Sequence, residues 1–251
     1  MPTIGESFGV DAERYDRTRP VYPGALVADV VTRSPGREVL DVGCGTGIAA
    51  RQFQAAGCTV LGVEPDERMA RFARGTGIDV EVSTFEDWAP GERRFDAVIA
   101  AQAWHWVDPA AGVAKAALVL RPGGTLAVFW HAFVPPAEVN DALAAAYERA
   151  VPDPPFDLRK VKTHGYEPLA DKAAGDIRAA GGFATPEHRR YEWDQRYTRD
   201  EWLALTSTTG AFTHLPPEQA AAVLDEVAAV VEDEFTVHYS TLAVTASRAA
   251  R

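Results

Sequence analysis

The stretch "VLDVGCGTG", Val39 to Gly47, sets three glycines within five positions directly behind an apolar run and an aspartate. Glycine has no Cβ and accepts positive φ, so such a run reads as backbone that turns sharply and comes close to something small. The residues before it, Glu38–Val42, read as a buried strand, and those after it, Ile48–Ala56, as a helix. Strand, glycine turn and helix together place a ligand at a helix N-terminus, where unpaired N–H groups and the helix dipole favour negative charge.

A dinucleotide site would use the same arrangement with a third glycine. Here Gly43 and Gly45 supply the first two positions, and Ile48 stands at the third. Asp41 would also meet a pyrophosphate with like charge. A zwitterion suits the loop better, its carboxylate facing the loop N–H groups and its ammonium facing Asp41. Glu64 ends the next strand, 23 residues beyond Asp41, where a carboxylate can accept both hydroxyls of a ribose. An amino acid at one end and a ribose at the other describe S-adenosylmethionine.

The surrounding pattern alternates short apolar runs with helical ones. Thr59–Glu64, Val80–Ser83, Phe95–Ala101 and Thr125–Trp130 read as further strands. Asp66–Arg74 and Val107–Leu120 read as helices, the second stopped by the turn "RPGG" at Arg121–Gly124. Strands apolar on both faces and separated by helices make an α/β fold with a parallel sheet covered on both sides. The second half is less regular. Helices are expected over Pro135–Ala150, Ala173–Ala180, Arg199–Thr206 and Pro216–Phe235, and strands over Arg189–Tyr197 and Val237–Ser247, with proline-rich loop sequence in 151–170.

Composition narrows the function classes. The net charge of −11 opposes a nucleic-acid partner, which needs clustered Lys and Arg. Neither Cys44 nor Cys58 has a CxxC partner or a His/Cys cluster at metal spacing, so both read as reduced thiols and no metal is expected. No stretch reaches the roughly 18 apolar residues of a membrane span, and the N-terminus lacks a signal-peptide pattern. A cytoplasmic protein without membrane attachment is the expectation.

The motifs together resemble the class I S-adenosylmethionine-dependent methyltransferases, specifically the small-molecule group labelled type 11. "VLDVGCGTG" resembles the family's cofactor loop, "VLGVEPDERM" its ribose segment, "VEVSTFEDWAP" its adenine segment, "FDAVIAAQAWHWVD" its fourth strand and exit, and "LRPGGTLAVFW" its fifth strand. "YDRTRPVYP" is similar to the N-terminal segment that folds over the cofactor, and "YTRDEWLALTSTTGAFTHLPPE" to the late cap. The resemblance implies a Rossmann-like sheet of seven strands, mostly parallel with the last antiparallel, helices on both faces and a small helical cap. As one methyltransferase domain over 1–251, it divides into a cofactor-covering segment (1–35), a cofactor-binding half (36–134), cap regions (135–176 and 198–215) and closing elements (177–197 and 216–251).

Carried over position by position, the resemblance puts Asp41, Gly43, Cys44 and Gly45 at the methionine end. Glu64 would take the ribose and Pro65 line its edge. Thr84, Phe85 and Glu86 would flank the adenine, although many relatives carry aspartate where Thr84 stands. Gln102 would approach the methionine and the transferring methyl, and Tyr15 and Arg19 would close over the cofactor, Arg19 pairing with its carboxylate.

For the acceptor, "AWHW" at Ala103–Trp106 leaves the fourth strand at the edge where such sheets bind ligands. His105 is a candidate proton acceptor and His131 a second one. Trp104, Trp106, Trp130, Trp193 and Tyr197 could enclose an apolar or aromatic acceptor, although buried aromatics more often only pack. The remaining histidines, at 164, 188, 214 and 238, show no ligand spacing and read as surface residues. The expected activity is methyl transfer from S-adenosylmethionine, leaving S-adenosylhomocysteine, to a small molecule by a monomer or homodimer, with oxygen favoured over nitrogen or carbon. A binding protein without transfer and a nicotinamide-dependent oxidoreductase are the rival readings; Ile48 and Asp41 both oppose the second.

Overall fold

The computed structural model describes residues 8–151, 158, 165–213 and 215–249. After a short 3-10 turn, the elements in chain order are α1 (Ala12–Thr18), α2 (Gly24–Arg33), β1 (Glu38–Val42), α3 (Ile48–Ala55), β2 (Thr59–Glu64), α4 (Glu67–Gly75), β3 (Asp79–Val82) and β4 (Phe95–Ala101). A 3-10 turn at Trp104–Trp106 precedes α5 (Pro109–Val119), β5 (Leu120–Val134), α6 (Ala137–Ala150), α7 (Glu167–Ala180) and β6 (Glu187–Thr198). The chain ends with α8 (Arg199–Ser207), α9 (Gly210–Thr213), α10 (Pro217–Ala228) and β7 (Glu234–Ser247).

The strands form a seven-stranded sheet in the order β3-β2-β1-β4-β5-β7-β6. β1 pairs in parallel with β2 and with β4, β2 with β3, and β4 with β5. The sheet is mostly parallel with an antiparallel pair and helices around it, the architecture the resemblance implies.

Contacts gather the chain into two compact units. The larger comprises the described residues within 21–131, 166–191 and 241–251. Its central strands bury both faces, and successive residues serve opposite cores, as the two-residue period of a strand requires. Leu40, Val98, Val128 and Leu242 pack with Val113, Ala116, Ala173 and Ile177 of α5 and α7. Val39, Ala97, Phe129 and Ala243 pack with Leu26, Val30, Ala50, Phe53 and Ala70 of α2, α3 and α4. Continuous apolar runs are therefore the correct signature of the central strands β1 and β4, since neither of their faces meets water.

The smaller unit comprises the described residues within 1–20, 132–165 and 192–240. Its core joins Val139, Leu143 and Tyr147 of α6, Trp202 and Leu205 of α8, and Val223 and Val227 of α10 to Tyr197 and Tyr239. α8 begins with a full capping box: Thr198 accepts from the Glu201 amide while Glu201 accepts from the Thr198 amide.

Several boundaries differ from the sequence expectation. β5 starts at Leu120 and runs to Val134, so "RPGG" lies within the strand. Gly123, at φ +76°, donates to the Arg248 carbonyl, and the Arg248 amide returns a bond to Gly124. These bonds turn the expected helix stop into an irregularity of the strand, where the register against β4 shifts between Phe95 and Ala97. The helix expected to reach Phe235 ends at Ala228, and Glu234 already belongs to β7. α1 and α2 were not anticipated. α2 carries its signal in Leu26, Val27 and Val30, one buried helical face entered through Pro23. His164, His214 and most of 151–164 lie outside the described residues.

Trp202 is buried, yet its indole Nε1 has no hydrogen-bond partner among the described residues. Trp202→Ala should cost about 3–5 kcal/mol in denaturant unfolding. Trp202→Phe should cost much less, because it removes an unsatisfied donor along with part of the ring.

Candidate functional site

The strand order reverses between β1 and β4, and open α/β sheets bind ligands outside the carboxyl ends of the strands at such a point. Asp41 sits there, paired in register with Gly62 of β2 and Ile99 of β4. It is completely buried, and neither carboxylate oxygen has a hydrogen-bond partner among the described residues. Burial raises its pKa to about 8, and the nearby Glu64 carboxylate raises it further within that value. The Ala50 amide favours the charged form without closing a geometric hydrogen bond, and offsets the rise only in part. An orphaned buried acid beside a second acid is a place for a cation.

The loop after β1 has the backbone its glycines permit. Gly43 and Gly45 take φ +64° and +57°, and a Cβ at Gly43 would stand 2.6 Å from the Ala103 methyl. At Gly45 a Cβ would meet nothing within 4 Å, so the space above it is open. No side chain caps α3 at its N-terminus, where Gly47 is left-handed. Cys44 is buried beneath the loop, its sulfur against Gly62, where any Cβ would lie 2.6 Å away.

One expectation changes. The loop amides were expected to face a ligand carboxylate, but most donate within the protein. Gly43 and Cys44 bond the Val63 carbonyl, and Gly47 bonds that of Cys44. Gly45 donates to Glu64 Oε2 at 2.8 Å, while the Asp66 amide donates to Oε1 at 2.9 Å. The parallel pairing of β1 with β2 brings these ends together and consumes the donors. Glu64 thereby ties the loop to β2, and its oxygens keep lone pairs for further donors such as a diol. It is buried, and desolvation raises its pKa despite the two amides.

Gln102 leaves β4 at φ +58°, the one positive φ among described residues other than glycine. Such strain costs on the order of 1–3 kcal/mol and gathers at functional sites. Its amide bonds the Phe129 carbonyl and its Nε2 reaches the His131 carbonyl at 3.3 Å. Oε1 is buried with no donor, a second acceptor at this edge.

Beyond β3, Thr84 caps a turn through Asp87, Phe85 is buried, and Pro65 is exposed beside the end of β2. Phe85 packs against Trp88 and Trp104. Glu86 accepts from the Asp108 amide at 2.6 Å, so its carboxylate braces the start of α5. Lys115 Nζ binds the carbonyls of Glu86 and Trp88 and lies over the Phe85 ring. Lys115 and Ala103 shape the site without a local sequence signal, since their partners are distant in sequence.

In "AWHW", Trp104 is core, whereas Trp106 is 53% exposed and lies 4.7 Å from His105, ring to ring. Trp130 is buried and donates through Nε1 to His105 Nδ1 at 3.2 Å. Desolvation lowers the His105 pKa. His131, expected just past β5, is inside the strand and buried, stacked on Tyr22 at 4.2 Å with Nδ1 2.8 Å from Thr241 Oγ1.

The other candidates belong to the smaller unit. Arg19 lies over the Tyr15 ring and donates to the Thr208 carbonyl. Trp193 stacks on Tyr239 at 4.4 Å, and the Tyr197 hydroxyl meets that of Tyr239 at 2.7 Å. His238 is exposed and held by Asp194 and Glu192 on β6, whereas His188, in the larger unit, is an exposed partner of Asp171. Among the described residues, no group of three or more His, Cys, Asp or Glu could hold a metal, and no helix is long and apolar enough to cross a membrane.

A family profile described as a methyltransferase domain matches residues 40–128. An uncharacterised methyltransferase of Mycobacterium tuberculosis is 38% identical over 223 residues, 88% of this chain and 84% of that protein. The chain belongs to the class I S-adenosylmethionine-dependent methyltransferases. A ubiquinone biosynthesis O-methyltransferase of Thiobacillus denitrificans is 41% identical over 107 residues, covering 38% of this methyltransferase and 45% of that one. Among solved structures, a type II methyltransferase from Anaeromyxobacter dehalogenans superposes with TM-score 0.64 at 26% identity, covering 92% of this chain and 97% of that chain. A Haemonchus contortus phosphoethanolamine N-methyltransferase 2, solved with S-adenosyl-L-methionine, shares the fold at TM-score 0.55 and 14% identity, over 100% of this chain and 61% of its own.

Two outcomes test the site of this methyltransferase. Native Asp41 keeps a proton to about pH 8 that the unfolded chain releases near 3.8, so its contribution to stability falls as pH rises between those values. Asp41→Asn should remove that fall, measured by denaturant unfolding from pH 5 to 8.5. Gln102→Gly relieves the left-handed strain, so it should leave stability within about 1 kcal/mol of wild type while lowering methyl transfer at least about tenfold.

Proposed function

We propose that this methyltransferase moves a methyl group from S-adenosylmethionine to an oxygen of a small apolar or aromatic metabolite. The observation carrying the proposal is the buried Asp41, without a hydrogen-bond partner among the described residues, beside Glu64 at the carboxyl ends of β1 and β2. The residues fit the cofactor's functional groups. Asp41 and Gln102 Oε1 offer buried acceptors toward an ammonium, with Gly43, Cys44 and Gly45 giving the close approach. Glu64 would accept a ribose diol, with Pro65 at its edge, and Thr84, Phe85 and Glu86 would flank a flat base. S-adenosylmethionine supplies an activated methyl on a positively charged sulfur.

The protein's part is then positioning and exclusion of water. Aromatic surface suits both tasks, because a π-face tolerates a sulfonium and sheds solvent. The exposed Trp106 supplies it in the larger unit, where Trp104 and Trp130 are buried. The net charge of −11 supports a small-molecule acceptor over nucleic acid. The name of the ubiquinone O-methyltransferase relative supports oxygen as the accepting atom, over the part of the chain that matches.

Calorimetry with S-adenosylhomocysteine and a labelled-methyl assay over phenols, carboxylic acids, amines and alcohols test the reading. Binding of the nucleoside should weaken about 10- to 100-fold in Glu64→Ala, the size of one or two charge-assisted hydrogen bonds. Labelled methyl should appear on oxygen. No heat with well-folded protein, or transfer to amines alone, would overturn it.

A further inference from the structure

The hydrogen bond between Trp130 and His105 decides what this histidine can do. An indole N–H only donates, so His105 Nδ1 must present its lone pair to it. A neutral imidazole that accepts at Nδ1 carries its proton on Nε2. A second proton would have to enter at Nδ1, where the Trp130 N–H already points, and Trp130 cannot swing away because it is buried in the core of the larger unit. The ring is therefore held in one neutral tautomer, a donor through Nε2 and closed to protons at its other nitrogen.

The placement gives that donor a purpose. His105 lies in the turn that follows β4, four residues after the last strand residue and three after the strained Gln102. It is exposed itself and stands beside the exposed indole of Trp106. An N–H donor next to a flat apolar platform recognises an oxygen lone pair on a ring or a planar group, and it does not remove a proton from a hydroxyl.

Resting on the methyltransferase reading above, we propose that His105 is a positioning residue that donates Nε2–H to the acceptor, and that the accepting atom is an oxygen already ionised when it binds: a phenolate, enolate or carboxylate. The bookkeeping of protons then closes without a base. A lone pair of the oxyanion forms the O–C bond to the methyl carbon while the C–S bond breaks, and its electron pair stays on sulfur. The sulfonium becomes a neutral thioether, the oxyanion becomes a neutral ether or ester, and no proton is left to remove. The assignment replaces the expectation that His105 accepts a proton from a hydroxyl. Desolvation of the ring is the cause of its lowered pKa, with no charged group among the described residues contributing.

The first test needs no activity. Nitrogen-15 NMR of the full chain, with the His105 signals identified by their loss in His105→Gln, should show the Nε2–H tautomer. It should also show a ring that stays neutral well below the ordinary range near 6.5. Trp130→Phe should return the titration to that range. If that variant does not fold, the wild-type tautomer alone still decides, and an Nδ1–H tautomer or ordinary titration in wild type overturns the proposal.

The second test uses labelled S-adenosylmethionine with para-nitrophenol, ionised near neutrality, and phenol, which is not. Transfer to para-nitrophenol should follow the phenol's own ionisation, and phenol should react only as the pH approaches its own. For para-nitrophenol, kcat/KM should drop about 10- to 100-fold in His105→Ala and stay within about threefold of wild type in His105→Gln, which keeps a donor at the same place. Equal rates for both phenols, with a limb near 6–7 that His105→Gln removes, would make His105 a base and overturn the proposal. Failure of S-adenosylhomocysteine to bind overturns the proposed function instead and leaves the tautomer result standing.

Discussion

A carboxyl group with no hydrogen-bond partner among the described residues, shut inside a central strand of a mostly parallel sheet, governs this structure. Moving such a group out of water without a compensating bond costs several kcal/mol if it is charged, so Asp41 stays protonated until about pH 8 in the protein by itself. A neighbouring cation would relieve the same cost in another way. The surrounding features serve that place. Gly43 yields the space that Ala103 occupies, and Gly62 admits the Cys44 sulfur beneath the loop. Glu64 takes the Gly45 amide, which holds the loop in its left-handed path and sets a second acid near the first.

The two ends of the site obey different electrostatics. At the carboxyl ends of β1 and β2, acids are gathered and desolvated, an arrangement that favours positive charge. At the exit of β4, Trp104 and Trp106 flank an imidazole that accepts from the Trp130 indole of β5, and the Asp108 carboxylate beyond them caps α5. Separation of this kind suits a reaction whose donor carries its own activation. The protein has little proton chemistry to perform there and much alignment to supply. Gln102 joins the two ends, with a strained backbone and an amide oxygen that no donor among the described residues satisfies.

Local pattern carried most of the sheet. Glu38–Val42, Thr59–Glu64 and Phe95–Ala101 are strands at the residues where their apolar runs place them, because each is buried on both faces. Local pattern failed where distant chain decides. "RPGG" carries every mark of a turn, and the bonds from Arg248 make it strand instead. His131 looked like a residue past a strand end, and it is a buried member of β5 stacked on Tyr22. The helix after Pro216 stops at Ala228 although its sequence continues apolar, because the following segment enters β7.

What the amino-acid sequence alone determined is the chemistry placed at each strand end: Asp41 and Glu64 behind their apolar runs, glycines where backbone must bend, and "AWHW" at the exit of β4. Those follow from short-range rules of period, volume and allowed φ, which depend on neighbours in the chain. The tertiary structure alone decided the electrical state and hydrogen-bonding role of these groups. Burial left Asp41 without a donor, the pairing of β1 with β2 spent the Gly45 amide on Glu64, and β5 carried Trp130 to His105 across 25 residues of chain. Protonation and tautomer depend on dielectric surroundings and on partners remote in sequence, and only the folded chain brings those together.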